Sequence, residues 1–80
     1  MKTVLTDVSP EERVELVEVP NNEARAKLLR LGLLDGTVEC RRQIRKGPVV
    51  VGRRGTEVAL GRTLAREIGV ERSTIDDRRP

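Results

Sequence analysis

The segment Leu28-Leu29-Arg30-Leu31-Gly32-Leu33-Leu34-Asp35-Gly36-Thr37 sets two glycines four residues apart inside the most apolar run of the chain. Upstream of it, Ala24, Leu28 and Leu31 recur at i, i+4 and i+7 while Arg25, Lys27 and Arg30 fall elsewhere. That pattern predicts a helix with one apolar and one cationic face. Pro20-Asn21-Asn22 supplies its start, because proline ends a preceding strand and an Asn side chain accepts a free N–H of the first turn. Gly32 stands one step past the last periodic leucine, where a helix commonly ends in a residue at positive φ. Leu33 or Leu34 then folds back on the final turn, and Asp35-Gly36 turns the chain into a strand. Both glycines are expected to be hinges of a single reversal.

Outward from this reversal the chain reads as short strands. Arg13 to Val19, RVELVEV, alternates apolar with charged residues except at Leu16-Val17, where the phase slips by one. The slip predicts a bulge that lets the strand serve two neighbours. Thr37 to Ile44, TVECRRQI, places Val38, Cys40 and Ile44 on one face, with Arg42 breaking the phase. Arg45-Lys46-Gly47-Pro48 and Arg53-Arg54-Gly55 read as turns around a buried Val49-Val50-Val51 strand, and Thr56 to Leu60 as the strand that follows. Arg62 to Ile68 has the apolar spacing of one or two helical turns, stopped by Gly69, with Val70 as a last strand residue able to pair with an early strand. The expected fold is mainly β: a small closed barrel of about five short strands, with an inserted α-helix and a short helix before the last strand. Residues 1–70 form the domain, and the polar residues 71–80 are expected to be a disordered tail.

Composition removes several function classes. Among 80 residues there is no Phe, Tyr or Trp. Grooves that hold proline-rich peptides and sites that stack single-stranded bases both depend on aromatic rings. Sixteen Lys and Arg against thirteen Asp and Glu leave a net charge of +3, well short of a dense nucleic-acid-binding stripe. With no His and a single Cys, neither a disulfide framework, nor a common transition-metal site, nor a nucleophile with its base is available, so no cofactor and no enzymatic activity are expected. No phosphate-binding glycine motif occurs. The N-terminal MKTVLTDVSPEE lacks the apolar core of a signal peptide and no run is long enough to span a bilayer, so a cytoplasmic protein without membrane insertion is expected. Its small size favours added stability from a partner or from self-association as a homo-oligomer.

Four groups of residues could carry function, each with a plainer alternative. Leu29, off the apolar helix face, and Leu33 or Leu34 beyond it, flanked by Arg25 and Arg30, form a candidate docking surface; adjacent leucines at a helix end otherwise pack inward. Arg41, Arg42, Arg45, Lys46, Arg53 and Arg54 border one hairpin and form a candidate basic rim for phosphate or an acidic protein, unless Glu39 and Glu57 merely pair with them across strands. Cys40 is either a small buried hydrophobe or a thiolate activated by Arg41 and Arg42. Glu11, Glu12, Asp76 and Asp77 could offer hard oxygen ligands to a metal, or simply solvate the surface.

The order of these signals resembles the FeoA family, most specifically in Leu-Gly-Leu-Leu-Asp-Gly-Thr at Leu31 to Thr37, in Gly47-Pro48-Val49-Val50-Val51, and in Val58-Ala59-Leu60 followed by Arg62. Gly61, between Leu60 and Arg62, departs from the usual family spacing. The resemblance spans about Val4 to Val70 and implies an SH3-like barrel with an inserted helix. It also implies a non-enzymatic cytoplasmic module of ferrous iron transport that acts with the cytoplasmic part of a FeoB-type membrane transporter. It transfers no catalytic or metal-ligating residue. The alternatives left open are a nucleic-acid-binding barrel and a metal-responsive regulatory one.

Overall fold

The computed structural model describes residues 3–72. Six strands form one antiparallel sheet: β1 (Thr3–Val4), β2 (Arg13–Glu18), β3 (Thr37–Gln43), β4 (Val49–Arg53), β5 (Thr56–Leu60) and β6 (Gly69–Arg72). Helix α1 (Asn22–Arg30) lies between β2 and β3, and the single-turn α2 (Arg62–Ala65) between β5 and β6. This is the small SH3-like barrel the sequence implies, with a sixth strand. The extra strand is the two-residue β1, too short to show a period; Thr3 faces Val70 and Val4 faces Gly69. At the other end, β6 extends to Arg72, two residues beyond the expected limit of the domain. The remainder of the expected tail lies outside the described residues.

Strand order is β1-β6-β2-β3-β4-β5. The slip at Leu16-Val17 is a bulge, where the pairing of β2 with β6 shifts register between Leu16 and Glu18. It turns Val17 outward while β2 serves both β3 and β6. Arg42 marks a second shift, in the β3–β4 pairing. Val70 pairs with Thr3 and with Leu16, as expected of the last strand, and β1 and β5 are left as the two edges of the sheet. What joins this side is a set of individual contacts. The Leu5 N–H donates to the Ile68 carbonyl at 2.9 Å. The Arg62 guanidinium donates to the carbonyls of Gly47 and Ile44 and to Gln43 Oε1, and the Gln43 amide donates in turn to the Val8 carbonyl.

The core is aliphatic, as a chain without aromatics requires. Val14, Leu16, Val38, Val49, Val51, Val58, Leu60 and Val70 come from the strands, and Leu5, Leu28, Leu33, Ala65 and Ile68 from the helices and turns. Leu28 is the one α1 residue fully inside. Among the described residues no helix is long and apolar enough to cross a membrane.

Candidate functional site: the end of helix α1 and a basic basin

Local chemistry fixes the helix. The Asn21 side chain accepts from the Ala24 N–H at 2.9 Å, capping the first turn. At the other end the Gly32 N–H donates to the Leu29 carbonyl and the Leu33 N–H to the Leu28 carbonyl, with Gly32 at φ +77°. These paired bonds, with the glycine left-handed, are the Schellman termination, in which the residue after the glycine packs against the helix. That residue is Leu33, and it is fully buried. Leu33 is therefore no part of an exposed docking surface, a correction to its assignment from sequence. Leu34 is half-buried against the core.

Gly36 plays a different part in the reversal, and its φ is not positive. A Cβ there would stand 2.9 Å from Arg53 Nη2, so the glycine leaves room for a guanidinium. Arg53 Nη1 meanwhile donates to the Gly32 carbonyl at 2.9 Å. One glycine of the reversal bends the chain; the other clears space for Arg53.

At the surface, Leu29 is 52% exposed and Leu31 37%, the latter contrary to its expected place on the apolar face. Leu31 follows the last helical residue, where the backbone is already turning toward Gly32. Arg25 and Arg30 are exposed around these leucines. Helix α1 also borders a groove of about 310 Å³, lined by Ala24, Lys27, Leu28, Leu60 and Leu64.

The basic rim divides. Arg45 and Lys46 sit in the β3–β4 turn and Arg53 and Arg54 at the opposite end of β4, so the four do not form one edge. Arg41, Arg53 and Arg54 instead converge with Arg13 on a concavity of about 340 Å³ that also holds Thr37 and Glu39. Arg13 faces Glu39 across β2 and β3, and Glu39 faces Gly52 across β3 and β4. Gly52 makes the floor: a Cβ there would meet Arg41 Nε at 2.9 Å and Glu57 Cγ at 3.0 Å. Arg41 Nε lies 3.8 Å from Glu57, the cross-strand pairing foreseen as the plainer alternative, and 3.6 Å from Glu39 on its own strand. Nothing local in the sequence singles out Arg13, which sits among the alternating charges of β2; only the strand register brings it here.

The remaining candidates are structural. Cys40 is fully buried, its Sγ 3.9 Å from the carbonyls of Val8 and Arg42, and burial pushes its thiol pKa up. Burial and the upward shift both favour the small buried hydrophobe over an activated thiolate. Glu12 accepts from the Ser9 N–H at 2.8 Å and pairs with Arg72; these contacts, the Ser9 bond foremost, hold its carboxyl below the usual range. No cluster of metal-ligating side chains occurs among the described residues, and Asp76 and Asp77 lie outside them.

Residues 3–72 match the family model of the FeoA domain. The chain belongs to the FeoA domain family. Among solved structures it is similar to a protein described as iron uptake regulatory protein (FeoA), at 27% identity and a TM-score of 0.72, covering 91% of this chain and 99% of that one. No curated protein matches it. The family match begins at Thr3 and ends at Arg72, so it takes in β1 and all of β6 as well as the helix reversal.

Proposed function

We propose that this FeoA-domain chain is a non-enzymatic, cytoplasmic accessory module of ferrous iron uptake, and that it docks through the end of α1 on the cytoplasmic part of a FeoB-type membrane transporter. Membership of the FeoA family and similarity to a protein described as an iron uptake regulatory protein support the iron-uptake role. The observation that carries the docking surface is Leu29, more than half exposed on a nine-residue helix whose other leucine, Leu28, is buried. An exposed leucine ringed by arginines suits an interface in which apolar contact supplies affinity and charge sets orientation. Leu31 and the uncovered part of Leu34 extend the patch.

The test is a pull-down of the transporter's cytoplasmic part by the full chain and by the double variant Leu29→Asp/Leu31→Asp. Both side chains are exposed, so circular dichroism and melting should match the parent while capture is lost. Capture at parental strength by the double variant would overturn this surface. Failure of the parent itself to bind would overturn the partner.

A further inference from the structure

We propose that the concavity on the outer face of β2, β3 and β4 is a binding site for a short polyphosphate chain, held by Arg13, Arg53 and Arg54. The site goes beyond the docking surface at α1 and does not depend on it. Four guanidinium groups and the Glu39 carboxylate line the basin, and Glu57 pairs with Arg41 beside it, which leaves a surplus of two positive charges. Charge has been gathered on one small area.

The four arginines are not equivalent. Arg41 lies between Glu39 and Glu57 and is largely neutralised by them. Arg13 and Arg54 have no ion pair or hydrogen bond among the described residues, and Arg53 spends Nη1 on the Gly32 carbonyl while Nη2 stays beside Gly36. Guanidinium groups bind phosphate oxygens bidentately, and unpaired ones need break no existing bond to do so.

Arg54 adds a second observation. It occupies the first position of a two-residue hairpin turn at φ +53°, followed by Gly55 at φ +86°. Both φ values are those of a type I′ turn, whose first position favours Asn, Asp or Gly. An arginine there contributes nothing to the turn that glycine would not provide more cheaply, so its presence points to its charge.

The dimensions select the ligand. Arg13 to Gly52 spans two strand spacings, about 10 Å, with Arg54 two residues further on, in the turn after β4. That is wider than a single tetrahedral phosphate and suits a chain of two or three. The absence of a side chain at Gly52 lets the Arg41 and Glu57 side chains lie over its backbone, and Thr37 provides a hydroxyl donor. The basin lies on a sheet face away from the edge strands β1 and β5, so a peptide cannot add to the sheet there. With no aromatic ring in the chain, an attached nucleoside would gain no aromatic stacking.

Isothermal titration of the full chain at low ionic strength, with tripolyphosphate, pyrophosphate, orthophosphate and ATP, tests this directly. Tripolyphosphate and ATP should bind alike, pyrophosphate more weakly and orthophosphate weakest. Arg13→Gln and Arg54→Gly should each weaken tripolyphosphate about tenfold or more, while Arg66→Gln, an exposed arginine on the turn after α2, leaves it unchanged. Arg54→Gly suits its backbone conformation, so its melting temperature should equal or exceed the parent's and loss of binding cannot be ascribed to unfolding. The proposal is overturned by absence of saturable tripolyphosphate binding at millimolar ligand. Equal loss in Arg66→Gln, ATP binding without tripolyphosphate binding, or capture of duplex DNA that tripolyphosphate does not displace would each overturn it as well. Leu29→Asp/Leu31→Asp should bind tripolyphosphate normally, so the two sites fail separately.

Discussion

At the helix end of the barrel, Leu28 and Leu33 are buried and clasped by the backbone bonds that terminate α1, whereas on the side where β1 and β5 do not pair, the joining contacts come largely from Arg62 and Gln43. Leu5, Val8, Ala65 and Ile68 are buried on the second side too, but the contacts that cross between its elements at the surface are hydrogen bonds that water can replace. Burying an aliphatic side chain stabilises by about 1.5–3 kcal/mol, but an intramolecular hydrogen bond nets only about 0.5–1.5 kcal/mol. The contrast predicts that the apolar end is the last part of the molecule to open and the polar side the first. For a domain of this size, with a total stability of order 5 kcal/mol, either end can decide whether the chain folds.

The severest disturbance should come from Leu33→Ala. Leu33 is fully inside a core that has no aromatic side chain to relax into the space, and truncation of a buried leucine costs about 2–5 kcal/mol. Urea unfolding should show the midpoint collapsing toward zero denaturant. A midpoint close to the parent's would mean that the helix end is not the stronger of the two regions. Arg62→Ala comes next. It removes donors to Gly47, Ile44 and Gln43 together, for an expected loss of about 1–3 kcal/mol. Its sharper readout is hydrogen exchange: amides of the β3–β4 turn and of the segment around Val8 should exchange faster while those of β2 and β3 keep most of their protection.

These two residues also show how far the sequence could be read. The helix, both of its ends and the β2 bulge were legible because each is written in adjacent residues: an Asn before an apolar period, a glycine after it, a doublet within an alternation. Leu33 and Leu34 could not be told apart, because which one meets the helix depends on the hydrogen bonds at Gly32. Arg62 was legible as the start of the short helix and as part of the family pattern, but its bonds were not, since its partners lie fifteen to nineteen residues earlier. The basic basin was half legible. Arg41, Arg53 and Arg54 stood out as clustered charge, but Arg13 joins them only through the register of β2 on β3, and the division of the rim follows from the length of β4.

The two glycines of the reversal give a finer test of the same contrast. Gly32→Ala places a Cβ in open space but at φ +77°, so the loss is conformational, about 1 kcal/mol after the gain from a stiffer unfolded chain. Gly36→Ala meets the tip of Arg53, a flexible group that can swing aside, so its cost should be near zero and should vanish entirely in an Arg53→Ala background. Thermal melting of the four variants would check this. Equal destabilisation by the two alanines would show that Gly36 is a conformational hinge after all.

A small, pH-dependent effect belongs to Glu12, which ties the segment before β2 to Arg72 near the end of β6. Its carboxyl is held below the usual range in the folded chain, first by the Ser9 N–H and then by Arg72. A lowered folded pKa means that the unfolded chain takes up a proton more readily than the folded one. The stabilisation is therefore complete above the ordinary carboxylate range and is lost as pH falls through that range toward the folded value. Both partners remain partly exposed, so solvent screening limits the loss to well under about 1 kcal/mol. In stability-versus-pH curves, the parent and Glu12→Gln should differ by a small, constant amount at neutral pH and converge in acid. Convergence on raising the pH instead would mean that the Ser9 and Arg72 contacts do not favour the ionised form.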